Sequence, residues 1–184
     1  MPALVLALVA SPAWTLELAT VLENTTVSPP ARVSFHEQRH NRMLKEALVL
    51  TGYLEYLEEG RLRKVVETPF SESFLVDGDS IVVSRNGEVR NIALSRSKAL
   101  SVMLNGIEAV LTGQIDRLNA LFKYTLSGTS NNWSLQLTPR SRQVSSRLQA
   151  LHVVGDASAI TSIRFDLHEG EWHLLKMLQE EPEQ

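Results

Sequence analysis

The chain has 184 residues, of which 43% are hydrophobic and 21% charged, with a net charge of −3 and no cysteine. That length and balance fit one globular domain with a real core and exclude a disordered polymer. The weak negative charge, with no Lys/Arg cluster, offers nothing to nucleic acid or an anionic membrane surface. The lack of cysteine removes both disulfides and the thiol on which a lipoprotein is acylated.

Residues 1 to 13 stand apart. Ala3 to Ala10 is an unbroken apolar run, too short to span a bilayer, and Ser11 and Ala13 follow at the spacing a signal peptidase reads. We expect a signal-peptide remnant over 1–13 and a mature periplasmic domain over 14–184. No Lys or Arg precedes the run, so Met1 reads as an internal start that has lost a basic leader. The competing reading is a buried first helix.

Trp14 to Leu22 carries apolar residues at 14, 18, 21 and 22, one face of a short helix that ends by Pro29-Pro30. From Ala31 to about Leu94 the pattern is β. Leu54 and Tyr56 alternate with polar neighbours, and strand-like runs cover Arg61–Thr68, Glu72–Val76 and Ser80–Arg85. Asn86-Gly87 predicts a type I′ hairpin turn, whose two central residues need positive φ. Its register would pair Arg85 with Glu88 and Ile81 with Ile92.

After Ser95 the period becomes helical. Leu100, Met103, Leu104, Ile107 and Leu111 form one stripe, with Lys98, Asn105 and Glu108 off it. Gly113 interrupts, and Ile115, Leu118, Leu121 and Phe122 continue a second short helix. The β period returns from Lys123, with Trp133, Leu135 and Leu137, and later Ile163, Phe165 and Leu167, alternating with polar residues. Gly155-Asp156 and Glu169-Gly170 are turns. The order is helix, about five strands, a helical insertion, then about five more strands. Segregated helices and antiparallel strands make this an α+β chain. A strongly curved sheet could hold one helix on its concave face and enclose a cavity if the helix does not fill it.

His36-Glu37-Gln38-Arg39-His40 spells a zinc-protease string, and Glu59 sits at a spacing that some zinc aminopeptidases use for a third ligand. On a helix the two histidines would share a face. Val33 and Phe35 instead alternate as in a strand, where positions 36 and 40 are roughly 13 Å apart, too far for one metal. A zinc hydrolase therefore stands only as a rival. His152, His168 and His173 read as exposed or hydrogen-bonded structural histidines. No nucleophile elbow, phosphate loop or dinucleotide fingerprint is present. Arg140, Arg142 and Arg147 form a basic loop, either simply solvated or able to guide an acidic partner or lipid head group.

Several strings recur in a known order: Phe35-His36-Glu37, Gly52-Tyr53-Leu54 with Tyr56, Gly60-Arg61-Leu62-Arg63, Glu67-Thr68-Pro69, Phe74-Leu75-Val76-Asp77-Gly78 and Leu137-Thr138-Pro139. Together, over about Trp14 to Met177, they resemble the LolA family of periplasmic lipoprotein carriers, and more closely a divergent LolA-like branch found beside genes for glycolipid or aryl-polyene assembly. The resemblance implies an unclosed antiparallel barrel of about eleven strands, with a helical lid over a hydrophobic cavity. It implies a monomeric, non-enzymatic carrier without cofactor or metal. Such a carrier would take the acyl chains of a lipoprotein, glycolipid or polyene conjugate from an inner-membrane transporter towards the outer membrane, where a receptor is a further candidate partner. The acyl site so implied comprises Phe35, Leu54, Tyr56, Leu62, Phe74, Val83, Trp133 and Leu135, with Leu100, Met103, Leu104, Ile107 and Leu111 on the lid. Glu59 takes the position where the family's carriers have a latch arginine. That departure puts the arginine latch, and strict lipoprotein specificity, in doubt for this chain.

The physics of a carrier agrees with this reading. An acyl chain gains about 0.8 kcal/mol per buried CH₂, so a rigid dry groove would hold sixteen carbons too tightly to release them. A lid able to cover cargo or empty groove solves this, and Met103 suits such a lid because its thioether adapts to changing neighbours. The stripe alone equally describes a plain core helix. A third class is a periplasmic interaction domain with a filled core, no lid and no transport role.

Overall fold

The structure is a computed structural model that describes residues 16–58 and 60–178. The proposed leader, Trp14 and Glu59 lie outside the described residues. Six strands precede the helical insertion: β1 (Ala31–His40), β2 (Leu48–Glu58), β3 (Arg61–Thr68), β4 (Glu72–Asp77), β5 (Ser80–Arg85) and β6 (Glu88–Ala93). Five follow it: β7 (Phe122–Thr129), β8 (Asn132–Pro139), β9 (Leu148–Asp156), β10 (Ile160–Leu167) and β11 (Trp172–Leu178). All pair antiparallel in one eleven-stranded sheet of order β6-β5-β4-β3-β2-β1-β11-β10-β9-β8-β7. Sequence neighbours form hairpins, and a single long-range pairing, β1 with β11, joins the two halves. β6 and β7 remain unpaired edges, so the barrel is unclosed.

Local chemistry explains the elements. Asn86 (φ 52°) and Gly87 (φ 80°) form the expected turn, and Arg85 faces Glu88 and Ile81 faces Ile92 as that turn requires. Gly52 lies on β2 opposite Phe35 and Val66, beside a bulge; a Cβ there would collide with the Val65 carbonyl, so the strands cross closer than any other residue permits. The first half holds six strands rather than about five.

The helices are α1 (Leu18–Thr25), α2 (Lys98–Leu111), α3 (Ile115–Leu121) and α4 (Arg142–Ser145). Ser97 caps α2, its Oγ accepting the Leu100 N–H at 3.3 Å, and Gly113 at φ 69° lies just past its end. The segment around Arg142 folds into the short α4 instead of a loop. Arg140 is a structural residue, its Nε donating to the Asn119 and Phe122 carbonyls at 2.7 and 2.9 Å.

The core lies on the concave side, mainly over β1, β2 and β8 to β11. Leu18, Val21 and Leu22 of α1 and Leu118 of α3 pack there with Phe35, Leu50, Trp133, Leu135, Leu137, Leu151 and Phe165. The β3–β6 wing is less covered: β6 is exposed throughout, and most of β4 and β5 is half-buried. Among the described residues, no helix is long and apolar enough to cross a membrane.

Candidate functional site

Helix α2 docks on a different face from the one its largest side chains suggest. The buried positions are Val102, Gly106, Ala109 and Val110. A Cβ on Gly106 would stand 2.7 Å from the Phe122 ring, so small residues let the helix axis approach the sheet. Leu100, Met103, Leu104, Ile107 and Leu111 are half-buried. Met103 and Ile107 touch the margin of the core, whereas Leu100, Leu104 and Leu111 are not part of it. At 3.6 residues per turn, the centre of this stripe is turned roughly 130° from the docked face. The helix thus has two apolar faces, one fixed on the sheet and one only partly covered. A plain surface helix would carry polar residues in place of the second.

The side of α2 that carries Glu108, next to this second face, borders the turn between β2 and β3. A methyl group on Gly60 would lie 3.9 Å from the Glu108 carboxylate. Arg117 of α3 holds that carboxylate at 2.8 Å and also bonds the Asn105 side chain, tying α3 to α2. Glu59, which the resemblance puts at the latch position, lies outside the described residues.

The residues expected to line a cavity divide into two groups. Phe35, Trp133 and Leu135 are fully buried in the helix-covered core. Leu54, Leu62, Phe74 and Val83 are half-buried and, with Tyr56, belong to the concave face of β2 to β5. Register puts Leu54, Lys64, Phe74, Val83 and Arg90 in one row across β2 to β6, and pairs Tyr56 with Leu62.

Sequence reasoning missed a charged cluster on this same face. Glu37, on the inward side of β1 between Phe35 and Arg39, is only 1% exposed. Its Oε1 and Oε2 accept from Arg39 Nε at 2.9 Å and Nη2 at 3.2 Å, and Lys64 of β3 donates to Oε2. His173 of β11 stands 3.8 Å away. Burial opposes the charge on Glu37, but Lys64 and Arg39 outweigh it and hold the carboxyl below its usual range. Burial drives Lys64 down to about 8 against the pull of Glu37. Burial, reinforced by Arg39, drives His173 down to about 4, so its imidazole is neutral at pH 7. The readable signal was the alternation Phe35-x-Glu37-x-Arg39, which puts two charges on the apolar side of a strand.

Arg39 and His173 of this cluster border an open cavity of about 440 Å³ that also takes in Asn41 and Leu44 of the β1–β2 loop and Phe70 of the β3–β4 loop. Arg39, His173 and Arg85 line it together with Leu48, Phe70 and Phe74. Strand alternation puts His36 on the outer face of β1, and the half-buried His40 at the strand's end stacks on Trp172 at 5.7 Å and borders the cavity. The zinc-protease string is therefore a strand whose glutamate points away from its histidines, and the hydrolase geometry is not formed. His152 bonds Asp166 at 2.8 Å, and His168 is largely exposed.

An unclosed antiparallel half-barrel carrying helices on its concave face defines a class of open, cup-shaped folds. Within it, the model of the family described as outer membrane lipoprotein carrier protein LolA-like matches residues 10–175, and the chain belongs to that family. A search of curated proteins finds no match. Among solved structures, a LolA superfamily protein from Nitrosomonas europaea aligns at 13% identity over 90% of this chain and 93% of its own, with a TM-score of 0.46. The lipoprotein LppX of Mycobacterium tuberculosis aligns at 13% identity over 91% and 97%, with a TM-score of 0.46. A domain from Vibrio parahaemolyticus, described as that of an outer membrane lipoprotein-sorting protein, aligns at 13% identity over 88% and 90%, with a TM-score of 0.48.

Proposed function

We propose that this protein is a non-enzymatic periplasmic carrier that shelters acyl chains of a lipoprotein, glycolipid or polyene conjugate between α2 and the β2–β5 wing, and moves them from the inner to the outer membrane. Membership of the LolA-like family supports the carrier class. The observation that carries the reading is the second apolar face of α2. Leu100, Leu104, Ile107 and Leu111 are too apolar for a solvated face and too exposed for a finished core. A face of this kind gains about 25 cal/mol for each Å² of apolar surface that a ligand covers. Leu54, Tyr56, Leu62, Phe74 and Val83 supply the facing wall. Phe35, Trp133 and Leu135 act from beneath, as the packed base on which α2 rests. An inner-membrane transporter would load the cargo, and an outer-membrane receptor would take it.

Native mass spectrometry of protein secreted into a bacterial periplasm tests this reading. An adduct with the mass of an acylated lipid supports it. A stoichiometric zinc adduct would favour the hydrolase, and bare protein would favour an interaction domain.

A further inference from the structure

The charged end of the concave face differs in chemistry from the apolar wall, and the inference about it rests on the carrier reading above. Two arginines line the cavity there, Arg39 and Arg85. Among the described residues, Glu72 and the half-exposed Glu171 line it with them, and Glu37 lies behind Arg39. Glu37 is engaged by both Lys64 and Arg39. Among the described residues, the side-chain hydrogen bonds of Arg39 run from Nε and Nη2 to Glu37. Arg85 is held differently. Its guanidinium lies 4.6 Å from the centroid of Phe70, its nearest carboxylate oxygen, on Glu72, is 3.9 Å away, and 53% of its side chain is exposed. A distance of 3.9 Å is an ion pair without a hydrogen bond. The ring and the long ion pair therefore orient the fork of Arg85 while its donors stay available to an acceptor.

The walls beside these arginines are apolar. Leu48, Phe70 and Phe74 line the cavity, and Phe74 is paired with Val83 on one side and on the other with Lys64, whose ammonium is engaged by Glu37. One side of the concavity thus grades from guanidinium donors to aromatic and aliphatic surface. The volume of about 440 Å³ falls within the range of small-molecule sites.

We infer that this cavity is a head-group subsite for an anionic amphiphile, with a carboxylate or phosphate held by Arg85 and Arg39 and the attached chain running over Phe74 and Val83 towards the second face of α2. Arginine suits such a group because its planar fork meets two oxygens at once. His173, uncharged beside Arg39, adds polarity without adding charge. The site would orient its cargo, so that the head group lies at the loop end of the half-barrel and the chain points to the lid.

The test compares cis-parinarate with its methyl ester, two fluorescent probes that share a chain and differ in the head-group charge. The whole protein should bind the acid about tenfold more tightly than the ester, the difference that one charge-assisted hydrogen-bonded contact makes. Arg85→Gln should remove that preference while leaving ester binding and thermal stability unchanged, because Arg85 is half-exposed and only loosely paired. Inorganic phosphate, which lacks a chain, should not displace the bound acid at equal concentration. Equal affinity for acid and ester, or a preference that survives in Arg85→Gln, would overturn the subsite while leaving the carrier reading intact. Displacement by phosphate would overturn it in favour of a free-anion site. Failure to bind either probe would overturn both readings.

Discussion

Two substitutions on one helix separate a docked face from a cargo face. Val110 is 1% exposed and packed in the core, whereas Leu104, six residues earlier on α2, is half-buried and outside it. Val110→Glu would place a carboxylate among apolar side chains with no partner, which costs several kcal/mol and suffices to unfold a domain of ordinary stability. Leu104→Glu forfeits only the covered part of a leucine, about 1 kcal/mol, and its carboxylate can remain in water. Cargo affinity should respond in the opposite order. A charge at Leu104 sits where a chain must lie, so binding of a fluorescent fatty acid should fall at least tenfold, which is about 1.4 kcal/mol. Urea unfolding and probe binding are measured on both variants. We expect Val110→Glu to lose its cooperative transition. Leu104→Glu should keep a near-native midpoint and lose binding. Equal destabilisation by the two changes, or full binding by Leu104→Glu, would refute the two-faced helix.

Glu37→Gln should cost about 3 kcal/mol at pH 7, because it strands Lys64 and Arg39 without their countercharge. Lys64 already sits near 8, so the cost should shrink by pH 9, where its proton is lost anyway; paired urea melts at the two pH values check this. His173 is held down to about 4 from 6.5, so the unfolded chain takes up a proton first on acidification. Its contribution is present above pH 6.5 and is lost as pH falls from there to about 4. His173→Gln should flatten stability across that window, read by melting temperature against pH. Replacing His36 and His40 together with Ala should cost no more than the His40–Trp172 stack, about 1 kcal/mol, and leave binding of the chain nearly unchanged; dialysis-resistant zinc that disappears in the double variant would contradict this.

Much of the fold was legible because it is local. The Asn86-Gly87 turn, the bounds of β3 and β5, and the break at Gly113 all follow from φ requirements and period-2 patterning. Hairpins between sequence neighbours then generate most of the sheet. The docked face of α2 was not legible. Hydrophobicity favours Leu100, Leu104 and Leu111 for the interior, but the sheet accepts Val102, Gly106 and Ala109 because axis distance is set by small side chains against Phe122. A pattern of apolar positions does not carry that distance. The Glu37–Lys64–Arg39 cluster escaped for a related reason. Its members come from β1 and β3, and only the curvature of the sheet brings their ends together. The basic loop around Arg140 was misread because a side chain bonded to two backbone carbonyls cannot be told from a solvated one by sequence.

The most direct test of the central claim is where a chain lies when bound. A fatty acid carrying a terminal diazirine is photolysed on the protein, and the labelled peptides are identified by mass spectrometry. We expect label on the segment Leu100–Leu111 and on the strands that carry Leu54, Phe74 and Val83. Label confined to the outer face of the sheet, around His36 and Lys176, would contradict a chain held between α2 and the wing.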